Sequence, residues 1–335
     1  MIMKKAILIL ALMLTGNIVS AQDTPLEITG SADVYYKYDF AKKENIGTSF
    51  ATDQNSVSLG MLDIALKKTT GKASFVGEIS FGPRGQFQSI PNGDGTDLNS
   101  FHIQNLYATY AATDKLSFTA GYMGTFIGYE VISPVANFHY STSYLFTNGP
   151  FQNAGVKANY AISDKVGIMV GAFNDAWNSY KADPIKGLNA FGAQLSFTPA
   201  EGISAYVNFM DGSVSGTIID LTASFQLSEK IKLGLNAADF SNDGKAGYTG
   251  LALYPAVDVS DKFSLGLRGE YFKFKQGSGD DSVTALTLSA NLKAGGLTFI
   301  PELRLDNSSN EIFETTMGNP TKAASQFALA MVYGF

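Results

Sequence analysis

An alternation that keeps restarting constrains this chain more than any other feature. About sixteen segments set apolar and polar side chains at successive positions: 26–38, 55–68, 71–83, 101–112, 115–126, 153–162, 165–174, 188–198, 203–211, 215–227, 231–240, 247–259, 262–274, 282–293, 296–306 and 323–335. A period of two marks a strand whose two faces meet different surroundings. In 219–227, Ile219, Leu221, Ala223, Phe225 and Leu227 share one face, and Asp220, Thr222, Ser224 and Gln226 the other. In 296–306, Leu297, Phe299, Pro301, Leu303 and Leu305 oppose Thr298, Glu302, Arg304 and Asp306. A slip of one residue would exchange the faces, so each register is strongly specified. The segments are also long enough for a tilted strand to cross a bilayer.

The amino terminus points to an exported chain. Lys4-Lys5, the apolar run Ala6–Leu14 and the small residues Val19-Ser20-Ala21 compose a signal peptide over 1–21, too short to span a bilayer as a helix. The mature chain is expected to start at Gln22. It contains no further apolar run near the roughly 18 residues of a transmembrane helix. Cysteine is absent, which excludes a lipoprotein anchor, disulfides and thiol chemistry. Without Lys4 and Lys5, 22 of the 24 basic residues remain against 30 acidic ones, a net charge of −8. That balance argues against nucleic acid and tilts toward cations or neutral solutes. Charged residues make up 16% of the chain, against about 25% in soluble domains. Aromatics reach 12%, yet mean hydropathy is only +0.04. Strands with one face on lipid and one on water average out in this way.

The connections alternate in length. Four tight turns repeat a pattern, Thr113-Asp114-Lys115, Ser163-Asp164-Lys165, Ser228-Glu229-Lys230 and Ser260-Asp261-Lys262, read as turn chemistry facing water. Longer connections rich in Asn, Asp, Gly and Ser intervene: 39–54, 84–100, 127–152, 175–187, 241–246, 275–281 and 307–322. Short turns at one end and long loops at the other are the periplasmic and extracellular ends of an outer-membrane barrel. The final segment alternates Phe327, Leu329, Met331, Tyr333 and Phe335 with Ala328, Ala330, Val332 and Gly334. It can close on the first segment and leave no free edge in lipid. Its terminal aromatic, Phe335, is expected to be read by the barrel-assembly machinery.

The expected architecture is therefore all-β: a transmembrane antiparallel up-and-down barrel of about sixteen strands, one domain over 22–335. It would sit in the bacterial outer membrane among lipid and lipopolysaccharide, with homo-oligomerisation left open. Barrels of about eight strands fill with side chains, whereas 16–18 leave an aqueous channel. The inward faces read as polar or small and carry Asp33, Lys37, Asp63, Glu78, Lys157, Asp220, Lys232, Arg268, Glu270, Glu302 and Arg304. Both signs occur, so charge announces neither cation nor anion selectivity. The Arg268/Glu270 and Glu302/Arg304 patterns read as solvated or salt-bridged lumen charge.

One stretch breaks the strand-and-turn rhythm. Ile127–Gln152 carries Pro134, Pro150, His139 and the run Asn137-Phe138-His139-Tyr140-Ser141-Thr142-Ser143-Tyr144. A long loop folded into a lumen must satisfy its backbone with its own polar groups or with the wall. The expectation is a constriction formed by Glu130, Asn137, His139, Tyr140, Ser141, Ser143 and Tyr144. Its polar side would line water while Phe138, Tyr140 and Tyr144 pin it to the wall. The plainer alternative is an extracellular loop packed on the rim.

The motifs Gly128-Tyr129-Glu130-Val131, Asn137–Phe146, Pro150–Tyr160 and Gly171–Trp177 resemble the β-barrel porins of the OmpL-like, type 2 group, outer-membrane channels best known from Bacteroidetes. Thr142 stands where a basic residue is expected in many members, Asn153 where His is expected, and Asn174–Trp177 is looser than the usual Asn-Gly-Trp. The resemblance implies a diffusion channel for small hydrophilic solutes and supplies no particular solute.

Catalytic and metal chemistry find little to stand on. The two histidines are His102 and His139. His139, Ser141 and Asn137 invite a lipase-like triad, but geometry rather than sequence proximity makes one, and no Gly-x-Ser-x-Gly elbow occurs. His102 is expected at a strand end near the headgroups. Asp239–Gly244 resembles the start of a calcium loop, but Gly250 occupies the place of its closing acid. Asp94 and Asp97 read as loop residues. No enzyme, cofactor or metal is expected. The competing reading is a closed barrel acting in adhesion, assembly or structure through its outer loops.

Overall fold

A computed structural model of the protein describes residues 23–85, 101–175, 187–242, 246–275 and 281–335. The expected signal peptide, Asp94, Asp97, Trp177 and Asp243-Gly244 lie outside the described residues. No described helix is long and apolar enough to cross a membrane. The chain forms β1 (Glu27–Asp39), β2 (Ser56–Thr70), β3 (Ala73–Phe81), β4 (Phe101–Ala111), β5 (Leu116–Gly124), β6 (Gln152–Ala161), β7 (Val166–Asn174) and β8 (Leu188–Phe197). There follow β9 (Ile203–Gly212), β10 (Gly216–Gln226), β11 (Ile231–Asn242), β12 (Ala246–Ser260), β13 (Phe263–Lys275), β14 (Ser282–Ala294) and β15 (Leu297–Ser308). Two short strands, β16 (Phe313–Glu314) and β17 (Pro320–Thr321), pair with each other, and β18 (Ala323–Gly334) ends the fold.

Strands β1–β15 and β18 close one sixteen-stranded antiparallel barrel. Sequential neighbours pair throughout, and β18 closes on β1 with Ser31 opposite Gly334 and Asp39 opposite Gln326. Phe335 completes the seam: its N–H donates to the Gly30 carbonyl (3.0 Å) and its own carbonyl accepts from Gly30 (3.1 Å). The alternating faces separate as the pattern predicts. In β15, Leu303 and Leu305 are exposed while Glu302, Arg304 and Asp306 are buried. In β1, Ser31, Asp33, Tyr35, Lys37 and Asp39 are all buried inward.

The repeated turn motif has a mechanical explanation. The Thr113 hydroxyl accepts from the N–H groups of Lys115 (3.2 Å) and Leu116 (3.0 Å). Ser163 does the same for Lys165 and Val166, and Ser228 for Lys230 and Ile231. Each hydroxyl thereby satisfies backbone donors where the ladder ends. At the other end the connections are longer, although β9 and β10 are joined there by 213–215 alone.

The inward face departs from expectation in one respect. It is not merely polar or small: Met169, Phe173, Ile218, Phe272 and Ile300 are buried on it, the last three on the same face as the polar inward residues of their strands. Met169, Phe173, Ile218 and Phe272 form apolar ground on which Phe126, Tyr144 and Leu145 of the intervening loop pack, and Ile300 clusters with Tyr140. His102, expected near the headgroups, is 1% exposed and lies opposite the buried Ser80.

A charge introduced on the lipid face tests the facing directly. Leu303→Arg, in the middle of β15, is expected to cost about 2–4 kcal/mol of folding stability in lipid vesicles, whereas the inward Ser204→Arg on β9 stays near neutral. Reversible urea unfolding into and out of vesicles measures both.

Candidate functional site

The segment 125–151 enters the barrel and binds its inner wall. It holds one 3-10 turn, Pro134–Ala136, and one short helix, α1 (Tyr144–Asn148). From His139 to Phe146 every residue is buried. A backbone placed there needs a partner for each N–H and C=O, and the wall supplies several from arginine and glutamate side chains. Glu302 accepts from the N–H groups of Tyr140 (3.0 Å) and Ser141 (3.2 Å), and Glu270 from those of Tyr144 (2.9 Å) and Leu145 (2.8 Å). Arg268 donates to the carbonyls of Ser141 (2.6 Å) and Thr142 (3.3 Å), and Arg304 to that of Thr142 (2.8 Å). Glu270 thus also sits at the open donors that begin α1, where a carboxylate is favoured. Ser143 caps that helix by accepting from the Phe146 N–H (2.9 Å).

The wall charges therefore do something other than what their spacing suggested. Arg268 does not pair with Glu270, nor Arg304 with Glu302. Arg268 binds Glu130 of the loop (2.7 Å) and Arg304 binds Asp306 (2.8 Å). None is solvated: Arg268 and Arg304 are 0% exposed, Glu302 2% and Glu270 3%. Along a strand, i and i+2 share a face. An Arg and a Glu so placed offer a donor and an acceptor side by side, which a peptide segment running past can use together.

The loop's side chains follow the same rule. Tyr140 donates its hydroxyl to Asp33 (2.5 Å), Tyr144 to Asp306 (2.8 Å), and His139 Nδ1 meets the Ser289 hydroxyl (2.7 Å). The Ser143 N–H reaches Glu130 (2.7 Å). The expectation that the polar side of 137–143 would line water is overturned. His139, Ser141 and Ser143 are as buried as the aromatics, because their groups and backbone are spent on the wall. Asn137 serves the loop itself: its amide donates to the Val131 carbonyl (2.6 Å) and accepts from the Val131 N–H (3.0 Å), closing a turn.

Apolar side chains of the loop land on wall glycines. Phe138 lies on Gly266, Tyr129 on Gly234, Leu145 on Gly250 and Phe126 on Gly192. A Cβ at Gly192 would come to 2.6 Å from the Phe126 ring, and one at Gly250 to 2.8 Å from Leu145. Tyr129 also stacks on Tyr254, with centroids 4.5 Å apart. Inward glycines in β8, β11, β12 and β13 are thus sockets, a signal that was present in the sequence as glycines on the polar face.

Of the remaining expected lumen charges, Asp220 accepts from Gly128 N–H (3.1 Å), Asn208 (2.6 Å) and Asn236 (2.6 Å). Lys37 donates to the Thr52 carbonyl (2.7 Å), and Lys232 pairs with Asp258 (2.9 Å). Asp63 bonds Ser31, and Glu78 bonds Asn105. Lys157 is half-buried on β6 and is not gathered with the others. Sequence reasoning missed two participants. Arg84, 2% exposed, donates to the Ile132 carbonyl (2.7 Å) and lies over the rings of Phe50 (4.5 Å) and Tyr140 (5.0 Å). The first long loop, 40–55, also turns inward. Its Ser49 bonds Thr147 and Thr142, each at 2.8 Å, and its Thr48 bonds Arg304. Phe50 and Ala51 adopt φ of 68° and 45° there, a conformation that costs non-glycine residues about 1–3 kcal/mol and persists only where contacts hold it.

Removing one buried partner should be costly. Arg268→Ala leaves the Glu130 carboxylate uncompensated and is expected to destabilise the barrel by about 3–5 kcal/mol, with Glu130→Gln recovering part of that loss in the double variant. Urea unfolding of the four proteins measures the coupling.

The fold has solved counterparts. An anion-selective porin from Comamonas acidovorans superposes with a TM-score of 0.65 at 12% identity, covering 94% of this chain and 100% of that chain. OmpT of Vibrio cholerae gives 0.61 at 12% identity, covering 96% and 99%. OprB of Pseudomonas putida gives 0.61 at 12% identity, covering 92% and 94%. At this identity the likeness shows the barrel architecture. No curated protein sequence matches the chain. The profile of the family described as "Putative beta-barrel porin-2, OmpL-like" matches residues 25–335, and the chain, a closed sixteen-stranded barrel, belongs to that family of outer-membrane porins.

Proposed function

We propose that the barrel is a passive diffusion channel for small hydrophilic solutes and that loop 127–152 is its constriction. The observation that carries this reading is the bonding of the 140–145 backbone to Arg268, Glu270, Glu302 and Arg304 of the wall. A segment held by several charge-assisted bonds narrows the bore at a fixed place, so solutes are sorted by the remaining radius and the field across it. Glu130, His139, Tyr140, Ser141, Ser143 and Tyr144 hold the constriction in place, and Asn137 keeps its turn.

An enzymatic reading is not supported. His139 Nδ1 meets Ser289 rather than Ser141, and the ring is 2% exposed. Lipid and lipopolysaccharide would meet the apolar outer face. In this reading the assembly machinery recognises the Phe335 ring, which is exposed at the closing seam. A homo-oligomer fits this size of barrel, and a solved OmpT of Vibrio cholerae is a trimer form. The second reading is a closed barrel acting through its outer loops, favoured by the complete burial of 139–146.

Planar-bilayer recording separates the two. The full chain is expected to give stepwise currents, and deletion of residues 135–146 to raise the conductance of each step several-fold. A barrel that stays silent with and without the deletion would sink the channel reading and favour the closed one.

A further inference from the structure

Backbone strain gathers in the first long loop. Among the described residues, four positions other than glycine have positive φ: Lys42 (58°), Phe50 (68°), Ala51 (45°) and Asn55 (53°). All four lie between β1 and β2. Asparagine tolerates this region, whereas a bulky ring in it is an outlier. Strain of this kind persists only where contacts hold it, and it clusters at ligand clamps and switches. The contacts of the strained residues show what the loop covers. Phe50 lies over the Arg84 guanidinium (4.5 Å). Ala51 clusters with Tyr35 and Tyr140, whose ring centroids are 5.5 Å apart. The Thr52 carbonyl accepts from Lys37 Nζ (2.7 Å). Three successive residues thus cap, in order, a guanidinium, two tyrosine rings and an ammonium.

The two cations under the loop lack counter-ions. Lys37 and Arg84 are each 2% exposed, and among the described residues neither forms an ion pair. Arg84 is fixed in place by its backbone N–H, bonded to Gly60 on β2 (3.0 Å), and by its Nε, bonded to the Ile132 carbonyl (2.7 Å). Its Nη1 and Nη2 have no hydrogen-bond partner. The carboxylates nearby turn elsewhere. Asp33 accepts from the Tyr140 hydroxyl (2.5 Å) and the Met61 N–H (2.9 Å). Asp39, on the same face of β1 as Lys37, accepts from the Ala41 N–H (2.8 Å). A buried cation without a counter-ion is costly, and each such group calls for a reason. A guanidinium with both Nη groups open presents the planar fork that matches a carboxylate.

We propose that residues 46–52 form a lid over an anion site, and that small carboxylates bind Arg84 and Lys37 when the lid lifts. The closed lid already mimics such a ligand, because the Thr52 carbonyl sets an oxygen on the ammonium. Beyond the capping contacts, the lid is held by the bonds of Ser49 to Thr142 and Thr147 and of Arg304 to Thr48 (3.2 Å). Lifting relaxes the backbone at Phe50 and Ala51, which offsets part of the cost of breaking these bonds. A carboxylate that binds only the lifted state then shifts the equilibrium toward it. The site stands whether or not the bore conducts.

Thiol labelling of the full chain in detergent micelles tests the proposal. The chain has no cysteine, so Ala51→Cys, at a position 8% exposed, introduces one thiol that a maleimide reaches when the lid lifts. Succinate is the probe, with potassium chloride at equal ionic strength as the control. In chloride, labelling is expected to be at least ten-fold slower than that of Met317→Cys, at a position 89% exposed. Succinate is expected to raise the Ala51→Cys rate several-fold and saturably, and to leave the Met317→Cys rate unchanged. Arg84→Gln and Lys37→Gln, each added to Ala51→Cys, are expected to abolish the rise. Heat-modifiable migration in gels identifies the variants that fold. Labelling that succinate does not change, a rise that survives in either folded variant, or labelling in chloride as fast as at position 317 would overturn the inference.

Discussion

The structure depends on one constraint: a peptide segment drawn into a barrel has to find a partner for every backbone group that water no longer reaches. Loop 125–151 meets it with Arg268, Glu270, Glu302 and Arg304, which bind N–H and C=O groups of residues 140–145. These are charge-assisted bonds made where water is excluded, so each is stronger than its counterpart on the surface and more costly to leave unmade. Burying such charges would itself be prohibitive without partners. Loop and wall therefore solve each other's problem. The loop's amides and carbonyls neutralise the cost of the wall ions, and the ions make a buried loop tolerable.

The apolar contacts give this arrangement its register. Phe126, Tyr129, Phe138 and Leu145 lie against inward glycines on β8, β11, β13 and β12, where the absence of a Cβ lets a side chain approach the strand backbone. Hydrogen bonds to long Arg and Glu side chains would tolerate some sliding. Rings seated on single glycines do not, because a shift of one residue brings each against a side chain. The first long loop then closes over the inward segment through Ser49, Phe50 and Thr48. The last loop ties to the first, with Glu314 bonded to Asn45 and Lys43. The lumen is thus organised from the wall inward and then upward to the rim.

The inward segment is anchored on two walls. Asp220 accepts from the Gly128 N–H and Arg84 donates to the Ile132 carbonyl, and the charged strands β1, β13 and β15 bind the residues that follow. On β7, β8 and β9 the contacts are apolar instead, where Phe126 and Ile127 cluster with Met169, Phe173, Ala190 and Met210. In such a barrel the total of acidic and basic residues says little about the charge a solute meets, because much of it is bonded inside.

The sequence by itself determined the wall: the number of strands, their boundaries within a few residues, their antiparallel closure and which face meets lipid. Period-two alternation and turn chemistry act locally, and lipid forbids any register that buries charge in it. It also singled out Ile127–Gln152, because a long polar and aromatic run between strands has no place in that rhythm. Only the tertiary structure decided what happens inside. That Arg268 partners Glu130 rather than Glu270, that His139 and Ser143 face no water, and that Arg84 and Ser49 take part all depend on contacts between residues tens to more than a hundred positions apart. An inward polar face is the same pattern whether it lines water or binds a loop. The choice between them is made by long-range geometry, which a one-dimensional period does not encode.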